Sequence, residues 1–375
     1  MGPRGTYLFL VVVVAAGGLL APARAPGSAS PLLFEPVQEL PPLGSYPMTV
    51  AIADVTGDRR KDVLMSTGAY EGARYDWKVL LYRQLPNGTL APPEAFSPVW
   101  KVAAQGLAVG DVDGDDLNDV VLATDLGVNV FRQRGGTLTR PFLVPRTVGG
   151  YSVDVADMNL DGRKDIVVRG WNWVRIARNT RRGFRTTVVT HGREQDVEVG
   201  DVNGDRRPDL VAASFQGKLR VYRQRRNGSF ARPRVQRTQR GASAVKVIDF
   251  TRDGRLDVTL ANGGALEVLV QDAKGRLRSS AVTPGIDFPQ GIEALDMSGD
   301  GKVDLIARTS QSVAVVLQEA QGSREGFDLY HAYRPLSWQP NAIAVGDVTG
   351  DGRPDMVAAG GLARGLFLWR QLPRG

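Results

Sequence analysis

The chain has no cysteine and only two histidines, His191 and His331, in 375 residues. The first absence excludes disulfides, thiolate metal sites, cysteine nucleophiles and a lipoprotein anchor. The second, with no G-x-S-x-G, H-E-x-x-H or phosphate-binding loop, removes the usual catalytic constellations. Lysine is also scarce, eight residues against 39 arginines, in a chain of net charge +7. An arginine-rich surface attracts anions. Beyond the N-terminus no stretch keeps a helical period. What the chain does have is 42% hydrophobic residues, 44 glycines and 22 prolines, the composition of a globular core joined by many turns.

At the N-terminus Arg4 precedes an apolar run from Tyr7 to Leu20 and the small-residue stretch Ala21-Pro-Ala-Arg-Ala25. The run falls short of the roughly 20 residues of a membrane span. It predicts a secretory signal over residues 1–29, cut after Ala23 or Ala29, and hence a secreted, periplasmic or extracellular protein. An uncleaved segment would anchor the chain to a membrane instead.

One nine-residue phrase occurs seven times, starting at Asp54, Asp111, Asp157, Asp201, Asp249, Asp296 and Asp347, at intervals of 57, 46, 44, 48, 47 and 51 residues. Each copy has Asp at positions 1, 5 and 9, an oxygen-bearing residue at 3, and Gly at 4, 6 or both. The aspartates at positions 1, 5 and 9 account for 21 of the 40 acidic residues. Upstream of every copy apolar residues alternate with a freely varying position, as in Val197-Glu198-Val199. Downstream comes an all-apolar run such as Val120-Val-Leu122, then a third segment such as Leu219-Arg-Val-Tyr-Arg223, then turn signals and a weaker fourth segment. Alternation of this kind predicts strands, and an apolar run on both sides predicts a strand covered on both faces.

Four strands repeated at nearly 50 residues predict an all-β, seven-bladed propeller of four-stranded antiparallel blades over residues 30–375. The last unit has no room for a fourth strand. The surplus Pro31–Gln38 segment is predicted to complete that blade and close the ring, removing open edges.

Oxygen donors at positions 1, 3, 5 and 9, with a backbone carbonyl at 7, suit a hard cation of calcium's size. The candidate ligands are Asp54, Thr56, Asp58 and Asp62; Asp111, Asp113, Asp115 and Asp119; Asp157, Asn159, Asp161 and Asp165; Asp201, Asn203, Asp205 and Asp209. The remaining three loops offer Asp249, Thr251, Asp253 and Asp257; Asp296, Ser298, Asp300 and Asp304; Asp347, Thr349, Asp351 and Asp355. The Asp111 and Asp157 loops are the best Ca2+ candidates, because Thr or Ser at position 3 is a poorer ligand. The alternative is that the carboxylates only accept backbone N–H bonds and shape a turn. Position 12, where an EF-hand has Glu, is apolar in all seven copies, so these are strand–loop–strand loops.

The loops resemble the D-x-[DN]-x-D-G-x-x-D phrase of FG-GAP or VCBS repeats, the blades of integrin α-subunit heads and of secreted bacterial proteins. The resemblance covers residues 40–375. It implies structural calcium on one face of the ring and ligands on the opposite face. The opposite-face candidates are Tyr46, Tyr75, Trp77, Tyr151, Trp171, Asn172, His191, Gln195, Phe215, Gln290 and Trp338. Aromatics and amides around a depression suit a sugar or a peptide. The expectation is therefore a calcium-stabilised binding or adhesion module for an extracellular glycan or protein, with no specific nucleic-acid partner. The alternatives are an arginine-rich polyanion-binding surface, and a polysaccharide-degrading hydrolase or lyase built on paired carboxylates.

Overall fold

In the computed structural model all regular structure among the described residues is β-strand. The described residues are 32–40, 46–68, 77–214, 216–238, 241–318, 327–333, 339–360 and 365–373. The expected leader over 1–29 and the candidates Tyr75, Phe215 and Trp338 lie outside them.

Seven four-stranded antiparallel sheets form the predicted blades. Blade 1 runs Tyr46–Ala53, Asp62–Gly68, Val79–Tyr82 and Glu94–Phe96. Blades 2 to 7 begin at inner strands Ala104–Gly110, Gly150–Ala156, Asp196–Gly200, Ala242–Ile248, Gly291–Leu295 and Pro340–Gly346. Each inner strand packs on the next around the ring, the seventh returning to the first.

Blade 7 takes its fourth strand from the N-terminus, as the sequence predicts, though the pairing begins further along. Gln38–Leu40 pairs with Leu366–Leu368, and Phe34 makes an isolated bridge to Gln371. The amide N–H of Leu372 donates to the Leu33 carbonyl at 2.8 Å, and that of Glu35 to the Arg370 carbonyl at 2.9 Å. Pro36 stands just before the continuous ladder, which starts at Gln38, since proline donates no N–H.

The core is seven clusters, one at each blade interface. The doubly apolar second strands explain this division. In blade 1 Val63 and Met65 pack toward blade 7, while Leu64 between them packs toward blade 2. Side chains alternate across a strand, so a strand wedged between two neighbours must be apolar at every position. The N-terminal segment contributes to both sides of blade 7, with Leu32 toward blade 6 and Leu40 toward blade 1.

Candidate functional site

The seven aspartate loops cluster on one face and share one backbone. Position 4 is left-handed in every copy, at Gly57, Gly114, Leu160, Gly204, Arg252, Gly299 and Gly350. Position 6 is left-handed too, at Arg59, Asp116, Gly162, Arg206, Gly254, Gly301 and Gly352. The glycine preference of the motif is thus conformational, and each bulky residue there costs about 1 kcal/mol or more of strain.

The carboxylates hold this shape. Position 1 accepts the N–H of position 6 in all seven loops, for example Gly162 to Asp157 at 2.8 Å and Asp116 to Asp111 at 2.9 Å. Position 5 accepts the N–H of position 7, as Asp161 does from Arg163 at 3.0 Å. Position 9 is buried in all seven copies. Its carboxylate accepts the N–H of the amide residue that ends the third strand, Gln84 to Asp62 at 3.0 Å and Asn179 to Asp165 at 2.7 Å being two of seven such bonds. Burial pushes Asp119, Asp165, Asp209, Asp304 and Asp355 up to about 6, against the backbone donors that lower them.

That terminal amide is a functional position the sequence reading passed over. Its side chain reaches back to the aspartate loop of the preceding blade. Asn179 Nδ2 donates to the Val112 carbonyl at 2.6 Å, Gln224 Nε2 to Met158 at 2.5 Å, and Gln371 Nε2 to Met297 at 2.9 Å. Each latch satisfies a carbonyl that would cost about 1–3 kcal/mol if left buried and unpaired. The signal was present in the sequence as a Gln or Asn closing every third segment.

Metal-binding capacity differs among the loops. At five of them an Arg at position 7 pairs with the position 5 carboxylate: Arg60, Arg163, Arg207, Arg255 and Arg353. The Asp157 loop is one of these, and Asn159 Nδ2 also donates to Asp161 at 3.0 Å. The Asp111 loop has Leu117 at position 7, and its position 5 carboxylate, Asp115, pairs instead with Arg134 from the following hairpin. There Asp111, Asp113 and Asp115 bring ligand atoms within 4.8 Å of one another, the one such group of three among the described residues. Asp113 Oδ1 is buried with no hydrogen-bond partner, and the other oxygen meets Arg132 Nε at 3.0 Å and Arg134. A hard cation fits this donor set. Asp119 is absent from the group, its two oxygens accepting from Val112 and Gln133.

The opposite face is built differently. The residue six places before each motif sits where the inner strand enters the ring: Met48, Gln105, Tyr151, Gln195, Ser243, Gln290 and Asn341. In blades 1, 2, 3, 5 and 7 it is the extra residue of a β-bulge, a device that re-aims a side chain. Some of these are inter-blade staples, such as Asn341 Nδ2 to the Pro47 carbonyl at 2.7 Å and Ser243 Oγ to Pro289 at 2.6 Å. Gln290 accepts from Arg308 Nη1 at 2.7 Å and from Gln339; burial brings Arg308 down to about 10.

Tyr151 is different, because it meets Trp171 with centroids 6.3 Å apart. The turn Gly170-Trp171-Asn172-Trp173 explains the pairing. Gly170 N–H donates to the Trp173 carbonyl at 2.8 Å, and the Trp173 indole fills the place of a Gly170 side chain, where a Cβ would fall 2.2 Å from the ring. Trp173 is buried and anchors the turn, while Trp171 projects with 61% of its surface exposed. Arg193 lies 5.3 Å from the Trp171 ring, and Arg169 lies 5.8 Å from that of Tyr151. Leu126 and Val148 are exposed on the loops that precede this blade, which are joined by the Gly149 N–H to Asp125 carbonyl bond of 2.9 Å.

Of the other candidates, Asn172 and His191 are exposed and Gln195 half-buried beside the same blade. Tyr46 and Trp77 belong to blade 1 and are not part of this cluster. Arg193, Leu126 and Val148 were missed, and so was exposed Trp100 in the connection into blade 2.

The central channel carries charge on one side only. Asp154, Glu198, Lys246 and Glu293 occupy the same inner-strand position as Ala51, Ala108 and Ala344. Lys246 Nζ lies 3.5 Å from both Glu198 and Glu293, and a cavity of ≈400 Å3 opens on the alanine side.

Comparisons place this architecture. The FG-GAP-like repeat profile matches residues 111–168, 201–259, 249–307 and 296–358. No curated protein sequence matches. Among solved structures, a chain of the BBS1N–ARL6DN complex superposes with a TM-score of 0.60 at 15% identity, over 92% of this chain and 98% of that one. An Agrocybe aegerita lectin described as recognising non-reducing terminal N-acetylglucosamine gives 0.54 at 19% identity, over 81% of each. At such identities the likeness is one of fold. The profile, in contrast, matches more than half of the chain and starts at four of the seven aspartate loops; the chain belongs to the FG-GAP-like repeat family.

Proposed function

We propose that this protein is a secreted, calcium-stabilised, non-catalytic binding module whose ligand, an extracellular glycan or protein, docks on the face carrying Tyr151 and Trp171. The observation that carries the reading is Trp171, held 61% exposed on a turn whose partner Trp173 is buried. A large indole kept in water by a rigid turn and flanked by guanidinium groups is the composition of an interface anchor. Calcium at the Asp111 loop would rigidify the other face without touching ligand. The fold serves both ligand classes elsewhere, a protein complex in one neighbour and a terminal sugar in another.

The test is a glycan array and an extracellular-protein capture with the mature protein, repeated with Trp171→Ala. An anchor of this kind is worth about 2 kcal/mol or more, roughly 30-fold in affinity. Ligands retained at full affinity by Trp171→Ala would move the binding surface elsewhere.

A further inference from the structure

Where blades 2 and 3 meet on the outer wall, two depressions of ≈550 and ≈600 Å3 lie side by side. In blades 1 and 5 the hairpin tip between third and fourth strands packs on the preceding blade. A Cβ on Gly88 would fall 2.5 Å from the Thr349 carbonyl oxygen, and one on Gly275 would fall 2.0 Å from that of Asn203. The cavity left at the interface of blades 4 and 5 is only ≈20 Å3. Blade 3 instead turns through Arg181-Arg182, with Thr180 paired to Gly183, and nothing lies within 4 Å of a Gly183 Cβ. The fourth strand of blade 2 is also short, Phe142–Val144. A gap results.

Phe142 and Phe184 form part of the floor, stacked at 6.3 Å and 27°. Thr186 Oγ1 donates to the Pro145 carbonyl at 2.6 Å where the two depressions meet. Five arginines line the walls, while Asp113 is the one acid among the lining residues. Arg132 pairs with Asp113 and Arg163 with Asp161. Arg175 donates to the Arg146 carbonyl at 2.8 Å and lies 3.9 Å over Trp173. Neither it nor Arg146 nor Arg181 has a carboxylate in ion-pair contact among the described residues, so three cations stand along the gap uncompensated.

We infer that this inter-blade groove binds a linear acidic polysaccharide, with carboxylate or sulfate groups on Arg146, Arg175 and Arg181 and ring faces against the phenylalanine floor. Guanidinium forks match such anions bidentately, and an apolar floor between cations suits a chain whose anionic groups alternate with C–H faces. An acidic peptide adding a strand would find three residues on the blade 2 edge and eight on that of blade 3, Gly183–Thr190, so competition by polyglutamate is the arm that separates the two occupants. The inference rests on this groove alone and not on Trp171.

Heparin oligosaccharide and oligogalacturonate are the probes, measured by surface binding across a salt series. Three contacts of this kind predict a loss of about 20- to 40-fold between roughly 50 and 200 mM salt. Arg146→Gln with Arg181→Gln should weaken binding about tenfold or more at low salt. Their replacement by Lys should restore part of it, because charge returns without the fork. Arg185→Gln with Arg232→Gln removes equal charge outside the groove and should change binding less than about twofold, as should Trp171→Ala. Equal losses from both glutamine pairs would reduce the effect to diffuse charge and overturn the inference. So would polyglutamate or duplex DNA outcompeting heparin at equal charge concentration. Melting temperatures of all variants are recorded in parallel, and the Lys pair keeps the test decisive if a Gln pair misfolds.

Discussion

Leu40→Ala tests ring closure at a single side chain. Leu40 keeps 5% of its surface exposed and sits among Val50, Val357, Leu366 and Leu368, at the interface of blades 7 and 1. It is also the last residue of the strand that pairs with Leu366–Leu368. Truncation at a buried leucine costs about 2–5 kcal/mol. A domain of this length unfolds with about 0.7 kcal/mol/K of entropy, at roughly 2.1 cal/mol/K per residue, so the melting temperature should fall by about 3–7 °C. Leu33, in the same segment but 48% exposed, is the control, and Leu33→Ala should cost less than about 0.5 kcal/mol. The assay is thermal unfolding followed by near-ultraviolet circular dichroism and by intrinsic tryptophan fluorescence. Because Trp369 lies in the cluster shared by blades 6 and 7, both probes should report one transition. A loss under about 1 °C from Leu40→Ala, or equal losses from the two variants, would refute closure by the N-terminal strand.

Two further outcomes follow from the charges. Calcium at about 100 times its dissociation constant should stabilise the ring by about 2.7 kcal/mol per site, or roughly 4 °C, over the EDTA-treated protein. Asp113→Asn should remove most of that gain if the Asp111 loop is the main site, and identical melting with and without calcium would sink the structural-ion reading. In the channel, burial pushes Glu198 from its ordinary 4.5 up to about 8, Lys246 opposing the shift, although 25% of its side chain stays open to channel water. Being raised, this group favours folding in its protonated form; that stability is fully present below about pH 4.5 and is lost as pH rises through about 8. With EDTA present, Glu198→Gln should lose less stability than the native protein between about pH 5 and 9, by on the order of 2 kcal/mol after allowing for channel water. Parallel pH profiles would show the shift to be illusory.

Much of the fold is legible in the sequence because its signals are local. Strand alternation in Val197-Glu198-Val199, the doubly apolar Val63-Leu-Met65, and the glycines at positions 4 and 6 each act within one turn or one strand. Repetition multiplied them sevenfold and fixed the blade count. The surplus N-terminal segment showed how the ring must close, since a fourth strand was missing only at the other end. Leu160 and Arg252 at position 4, and Arg59, Asp116 and Arg206 at position 6, were the local exceptions; the loop hydrogen bonds hold them left-handed all the same.

The tertiary structure decided what the repeats place side by side. Trp171 and Trp173 look alike in sequence, and only packing against Gly170 buries one and exposes the other. Position 9 aspartates read in sequence as ligands, and the fold shows that each is also a buried tie to the third strand, because the chain returns to that point some 14 to 22 residues later. The latches from Asn179, Gln224 and Gln371 cross between blades, over 66 to 74 residues of chain, a distance at which no periodic pattern speaks. The arginine groove exists because one hairpin tip fails to reach its neighbour. Local chemistry sets the form of a blade; the gaps and clusters between blades are set by how seven unequal copies fit into one ring.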